Sequence, residues 1–238
     1  GSVVNSRHLK RNEKIKLMKM LKALNYLYSL RHLETLLDIP YQNIWKYVNM
    51  IAIPSDEIAM DIITKLNNMK IIDRTISDIV DKYKDNIYGI ASDIGFLSIY
   101  SLKLEDMLEN IDIGLIIPLS EYAIPFASIL AWELGAKLCI PPFSRKIIDT
   151  KIKVAWYYSS RNNELEFFLL PKMCIDEDVE IFLVDILIDD LEKLKTISLL
   201  LKSSNMKVQG IATVYISTDC LDFAITGITS SVFYVTTI

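Results

Sequence analysis

Asp185 stands at the end of an apolar run, and four more charged residues follow it within eight positions: Asp189, Asp190, Glu192 and Lys193. A carboxylate at the end of a buried strand can bind hydroxyl groups or Mg²⁺, and the N–H groups of a following helix can bind a phosphate. This loop has no glycine, and its three added carboxylates would repel a phosphate dianion. We therefore expect it to bind phosphate poorly. Alternatively, Asp189 serves only as the N-cap of the helix.

A second loop, Leu119-Ser120-Glu121-Tyr122, has the same two properties. It lies between a predicted buried strand at 113–118 and a predicted helix at 123–134, which should end at Gly135. It lacks glycine and contains the acid Glu121. The two loops together predict one pocket, lined by Ser120, Glu121, Asp185, Asp189 and Asp190, that has lost its means of holding phosphate. We expect no catalytic residues, no metal and no cofactor.

Strands and helices alternate from about residue 85 onward, which predicts an α/β domain with a mainly parallel sheet. Apolar runs predict strands at 87–91, 113–118, 137–140, 179–184, 208–215 and 231–237. Helices are expected at 93–109, 123–134 and 189–203. The turn Ser160-Arg161-Asn162-Asn163 between 154–159 and 165–170 predicts a β-hairpin. A linking helix over 70–85 places the boundary between domains 1–72 and 73–238.

The N-terminal domain is predicted to be helical and to contain a helix-turn-helix. Helices are expected at 12–27, from Ser29, at 41–49 and from Ser55 to about Met69. Leu33, Leu36, Leu37, Ile39, Ile44 and Val48 have the spacing of its packed positions. Asp38 occupies the turn, where its tolerance of left-handed backbone replaces the usual glycine. A generic three-helix unit would show the same pattern.

This packing leaves a polar set facing outward from the third helix. Gln42 and Asn43 can pair with adenine edges, and Lys46 can reach guanine or phosphate. Tyr41 and Trp45 are either part of that surface or core aromatics. Residues 1–31 carry eight basic residues and one acid, so the net charge of −4 leaves −11 for the remainder. The predicted DNA-binding residues are Tyr41, Gln42, Asn43, Lys46, Arg31, Lys14 and Lys19.

The segment Y47-V-N-M-I-A-I-P-S-D-E-I-A59 resembles archaeal transcriptional regulators that join a helix-turn-helix to a domain like orotate phosphoribosyltransferase. The family usually has glycine where this chain has Met50. I181-F-L-V-D-I-L-I-D-D-L-E-K-L-K-T196 resembles the family's segment for phosphoribosyl pyrophosphate (PRPP), with Asp185 as its first acid and Ile186 in place of the second. Residues 113–140 resemble its pyrophosphate loop. The resemblance implies a type I phosphoribosyltransferase fold and a homodimer.

The remaining features predict a reduced, cytoplasmic environment. Cys139, Cys174 and Cys220 lie far apart in apolar contexts, so we expect buried, reduced thiols. No apolar run has the roughly 18 residues that a membrane span requires. His8 and His32 cannot form a metal cluster alone.

The sequence as a whole predicts a sequence-specific DNA-binding transcription regulator that is not an enzyme. Its partners are expected to be double-stranded DNA, a second copy of the chain, and a small-molecule effector other than PRPP, with no membrane. The C-terminal domain would mediate dimerisation and ligand sensing. An active phosphoribosyltransferase is one alternative. The other is a structural or adaptor protein whose helical head contacts another protein.

Overall fold

The computed structural model describes residues 8–144, 151–175 and 178–238. These residues form two compact units. The first comprises the described chain up to Lys84 together with Asp93–Lys103, and the second comprises Asp85–Ser92 and Leu104–Ile238. The first unit extends past the predicted boundary at residue 72. In it, the Tyr28 hydroxyl lies 3.0 Å from that of Thr75, and Lys103 pairs with Asp73 at 2.7 Å.

The first unit is helical. Its helices are α1 (Arg11–Leu27), α2 (Leu30–Leu37), α3 (Tyr41–Val48), α4 (Asp56–Asn68), α5 (Ile71–Lys82) and the start of α7 (Ile94–Met107). The hydroxyl groups of Ser29 and Ser55 cap α2 and α4 by accepting from the backbone N–H groups of His32 and Ile58. The predicted starts of these two helices are confirmed. Leu21, Leu24, Leu33, Leu37 and Ile44 are fully buried in the core of this unit.

The second unit is built on a parallel five-stranded sheet. Its spatial order is β2 (Lys137–Leu138), β1 (Leu115–Pro118), β5 (Ile181–Val184), β7 (Val208–Ala212) and β9 (Val232–Phe233). Helices α8 (Ile124–Leu134), α10 (Leu191–Ser203) and α11 (Thr218–Gly227) connect strands of this unit. The predicted α/β class with a mainly parallel sheet is confirmed. Both β1 and β5 are buried at all four positions, as expected for strands covered on both faces.

Two smaller sheets extend this unit. Strands β6 (Leu187–Ile188), β8 (Tyr215–Ile216) and β10 (Thr236–Thr237) pair in parallel in the order β10-β8-β6. The predicted hairpin forms from β3 (Ile152–Ser159) and β4 (Glu164–Pro171), which pair antiparallel along their whole length. The short helix α9 (Lys172–Ile175) follows β4. One apolar cluster joins β1, β4, β5, β7, α10 and α11.

Two predictions about this unit are wrong. Residues 87–91 were expected to form a strand but form the short helix α6 (Ile87–Ala91), because the Asn86 side chain accepts from the backbone N–H of Gly89 at 2.9 Å and starts a helical turn. The expected reduced thiols are also incorrect for two of the three cysteines. Cys139 and Cys174 form a disulfide with their Cα atoms 5.9 Å apart, whereas Cys220 is a free, buried thiol.

Candidate functional site

The carboxyl ends of β1 and β5 bring Ser120 and Asp185 together, because the two strands are parallel neighbours. Asp185 is buried at 2% exposure. One of its carboxylate oxygens accepts from the backbone N–H of Ile186 at 2.8 Å, and the other accepts from the Ser120 hydroxyl at 3.0 Å. Two of the predicted pocket residues, from loops 65 positions apart in the chain, are therefore in direct contact.

Lys193 completes this polar group from the first turn of α10. Its ammonium donates to the Ser120 hydroxyl at 3.2 Å. Burial raises the pKa of Asp185 to about 6, although the charge of Lys193 and the hydrogen bonds from Ile186 and Ser120 act in the opposite direction. The Asp185 carboxyl thus gains or loses its proton near pH 6.

The hairpin tip is bound to the loop that precedes α10. The Arg161 guanidinium donates to the Asp189 carboxylate at 2.8 Å, and the Ser159 hydroxyl donates to Asp190 at 3.0 Å. Asp190 also caps α10 by accepting from the backbone N–H of Lys193 at 3.2 Å. The capping residue is therefore Asp190 and not Asp189. Burial raises the pKa of Asp189, with Arg161 opposing the shift.

A second polar group on the hairpin was not predicted from the sequence. The Tyr157 hydroxyl donates to Glu166 at 2.6 Å, and the Asn162 amide donates to the other oxygen of the same carboxylate at 2.5 Å. Burial alone would raise the pKa of Glu166, but these two hydrogen bonds bring it below its ordinary value. Burial raises the pKa of Tyr157. The strand alternation of β4, which puts Glu166 on the same face as Phe168 and Leu170, was the available signal.

Two adjoining cavities of about 410 and 560 Å³ lie between these groups. Such volumes suit a small organic ligand. Glu121 is exposed at the rim of the larger cavity, and burial raises the pKa of Tyr122, which lines both. The side chains shared by the two cavities, apart from Leu119, are polar or aromatic: Tyr88, Ser120, Tyr122, Glu166 and Lys193. The pocket can therefore offer hydrogen bonds and both signs of charge.

The described residues contain no group of three or more His, Cys, Asp or Glu side chains placed to hold a metal ion. None of the described helices is both long and apolar enough to cross a membrane.

A second candidate surface lies on α3 in the first unit. Asp38 adopts the left-handed conformation, with φ of 53° and ψ of 46°, and Ile39 after it is buried. Ile44, Tyr47 and Val48 are buried as well. Helices α2 and α3 therefore pack against each other through apolar side chains, on either side of a turn with a left-handed residue.

The outward side of α3 carries most of the predicted DNA-binding residues. Gln42, Trp45 and Lys46 are exposed, and Asn43 is half-buried. Trp45 is 48% exposed, so it is not a core residue. The surface is accordingly polar with one large aromatic side chain.

Contacts with α2 hold the start of α3 in place. The Glu34 carboxylate accepts from the backbone N–H of Tyr41 at 2.8 Å and lies 3.6 Å from the Arg31 guanidinium. That guanidinium stacks over the Tyr41 ring at 3.9 Å. Two of the predicted DNA-binding residues, Tyr41 and Arg31, are thus in contact with each other.

The basic residues of α1 differ in their surroundings. Lys14 pairs with Asp56 at 2.6 Å and its side chain is 16% exposed, which leaves it less able to reach a phosphate. Its hydrogen bond lowers the pKa of Asp56. Lys19 is half-buried and Lys22 is exposed.

Met50 stands where the resembled family usually has glycine. Its φ is 58°, in the left-handed region where glycine is the usual residue. The backbone conformation expected of the glycine is therefore present although the side chain is methionine.

Comparisons with known proteins identify the fold of the second unit. No protein-family model and no curated protein matches the sequence. Among solved structures, the C-terminal part resembles adenine phosphoribosyltransferases. The enzyme from Thermoanaerobacter pseudethanolicus is 16% identical with a TM-score of 0.52, covering 64% of this chain and 84% of that chain. APRTase from Giardia lamblia, complexed with 9-deazaadenine, is 13% identical with a TM-score of 0.54, covering 63% and 83%.

These similarities show a type I phosphoribosyltransferase fold, as the sequence resemblance implied. They contradict the prediction that the chain is not an enzyme, because the similar structures are enzymes. That prediction took the missing glycines and added acids of two loops as sufficient grounds. At identities below 25% the likeness concerns the fold alone.

Proposed function

We propose that this chain is a sequence-specific DNA-binding transcription regulator of archaeal type, with a phosphoribosyltransferase-like unit that joins two copies and binds an effector. The observation that carries the proposal is the outward side of α3, where Gln42 and Lys46 are exposed beside half-buried Asn43. The buried side of the same helix packs on α1 and α2. This is the arrangement in which a recognition helix enters the major groove.

The chemistry of the exposed side fits base recognition. The amides of Gln42 and Asn43 can each offer a donor and an acceptor to adenine, and Lys46 can donate to guanine or phosphate. Glu34 and Arg31 hold the first residue of α3, so the helix is oriented before DNA arrives. Lys22, exposed on α1, adds positive charge to the same unit.

The proposal is tested by selecting binding sites from random duplex DNA with the full chain. Gln42→Ala and Asn43→Ala should then weaken binding to the selected site by roughly 1–3 kcal/mol for each lost base contact, and binding to random DNA much less. Asn67→Ala, an exposed amide at the end of α4, is the matched control and should change neither. An equal loss on every sequence would show that the two residues do not recognise bases.

A second candidate function is an adaptor whose helical head contacts another protein. The observation in its favour is an exposed apolar set at and after the end of α3, comprising Trp45, Met50, Ile51 and Ile53. DNA binding that weakens steeply with salt supports the regulator, and its absence supports the adaptor.

The effector is proposed to bind in the cavities of the second unit. Their carboxylates, Asp185 and Glu166 among them, favour an uncharged or cationic molecule over one with several phosphates. Calorimetry with candidate amines and nucleosides tests this part of the proposal.

A further inference from the structure

The β3–β4 hairpin has two faces of very different composition. Its antiparallel register, with Trp156 opposite Phe167, places alternate residues of both strands on one side. We call this side the outer face. It consists of Ile152, Val154, Trp156, Tyr158, Leu165, Phe167, Leu169 and Pro171. None of these eight side chains is charged.

Five of the eight residues of the outer face are exposed to solvent, and Phe167 and Leu169 also border the larger of the two cavities. Trp156 is 66% exposed and Phe167 47%, and they stand opposite each other near the middle of the ladder. Val154, Tyr158 and Leu165 are exposed as well. The exposed apolar area is roughly 500–600 Å², given about 150–250 Å² for a whole aromatic side chain. The largest apolar patch on a typical monomer is roughly 300–600 Å² and is often functional, so this one is at the upper end of that range.

The opposite face of the hairpin is already in contact with its own unit. Tyr157, Ser159, Phe168 and Leu170 are buried, and α10 packs against β3. The tip is bound through Arg161 and Ser159 to the loop before α10. The outer face is therefore a fixed surface of the folded unit and does not become exposed through opening of the hairpin.

A second copy of the same face is the partner that fits. Two such faces together would remove about 1,100 Å² from water, close to the lower limit of roughly 1,200 Å² for a specific interface. Because no charge lies on the face, two identical copies meet there without repulsion. Large aromatic side chains at the centre are the residues that dominate interface energies.

We propose that two copies of this chain associate through the outer face, around a two-fold axis near Trp156 and Phe167. The contact is isologous, with each copy supplying the same residues. This inference rests on the proposed function and deepens it, because a dimer would give the regulator two recognition helices.

The test is sedimentation of the full chain without DNA across a range of concentrations. The double variant Trp156→Asp/Phe167→Asp should raise the dimer dissociation constant at least about 100-fold, because unpaired carboxylates are strongly disfavoured in an apolar contact. Trp132→Asp/Leu199→Asp is the matched control. Those two side chains are 84% and 68% exposed on α8 and α10 of the same unit, so the dimer should persist.

Thermal unfolding checks that each variant is folded, and the conservative Trp156→Phe variant should keep the dimer. A wild-type chain that stays monomeric at high micromolar concentration overturns the proposal, as does a folded double variant that still dimerises. If the control variant Trp132→Asp/Leu199→Asp dissociates the dimer instead, the contact lies on another face and the proposal is also overturned. DNA binding is measured separately, so a dimer that binds no DNA contradicts the proposed function and leaves this surface assigned.

Discussion

The guanidinium of Arg161 lies 2.8 Å from the carboxylate of Asp189 and joins the tip of a hairpin to the loop before α10. Ser159 and Asp190 make a parallel link at 3.0 Å. A cation of the chain itself thus binds the loop that the sequence resemblance aligned with a phosphate-binding segment. The four side chains are engaged with one another on that side of the pocket.

The first prediction is that PRPP binds weakly. Glu121 lines the larger cavity and Asp189 and Asp190 line the smaller one, so a phosphate would meet carboxylates in either. Neither loop has a glycine that would allow close approach to its N–H groups. Calorimetry with PRPP and Mg²⁺ should show no affinity tighter than about millimolar, or about −4 kcal/mol. A titration with Mg²⁺ alone is the control for metal binding to the carboxylates. Micromolar affinity would contradict the prediction.

The second prediction concerns stability and the proton of Asp185. The folded pKa of about 6 lies above the ordinary value of 3.8, so the contribution of Asp185 to stability should fall as pH rises between these values and level off above them. Asp185→Asn should remove this contribution and raise the free energy of unfolding at pH 7.5 by about 3 kcal/mol. The measurement is urea unfolding across pH. Asp222→Asn, at an exposed carboxyl of α11, should retain this contribution.

The sequence predicted most of the elements that position the two candidate surfaces. The positions of Leu33, Leu37 and Ile44 located the core of the helical unit, and the apolar run ending at Asp185 located β5. Local patterns carry this information because helix and strand periods are local. The hairpin was predicted as well, since its turn residues are characteristic.

Other features depend on contacts that the sequence does not display. Strands β6, β8 and β10 have two residues each, too few to show a period. The meeting of Lys193 with Ser120 and of Arg161 with Asp189 requires the folded path of the chain. The pairing of two cysteines 35 positions apart is of the same kind.

The third prediction is that α1 supplies phosphate contacts through Lys19 and Lys22. Reversing both charges to Glu should flatten the slope of log affinity against log salt by about 0.9 for each lost contact. The matched control is Lys82→Glu/Lys84→Glu, at exposed lysines of the same unit. Filter binding at several salt concentrations measures both. If the two double variants behave alike, the lysines of α1 act only through net charge.

The fourth prediction concerns the left-handed residue after α3. Met50→Gly should stabilise the chain by about 0.5–1 kcal/mol, because a side chain at φ of 58° is strained and the glycine is not. Met69→Gly is the control, since Met69 is also exposed but has φ of −87°. That substitution should leave stability unchanged or lower it. Chemical unfolding of both variants decides the matter, and stabilisation by Met69→Gly alone would refute the explanation.

The fifth prediction is that the disulfide contributes to stability. The bond closes a loop between residues 35 positions apart and so restricts the unfolded chain. This should raise the free energy of unfolding by about 3–4 kcal/mol. Reduction should lower the free energy of unfolding by a similar amount, measured with and without a reductant. The variant Cys139→Ala/Cys174→Ala should no longer respond to the reductant. A wild-type chain whose stability is indifferent to reductant would count against the bond.

The same bond closes a covalent ring from Cys139 to Cys174 that contains the whole hairpin and its apolar outer face. A peptide bond cut within that ring therefore separates nothing. A protease that cleaves at the hairpin tip would leave a chain of unchanged mass apart from one added water, and two fragments would separate only after reduction. Survival of the intact band on a non-reducing gel is consequently no measure of whether the hairpin has been cleaved.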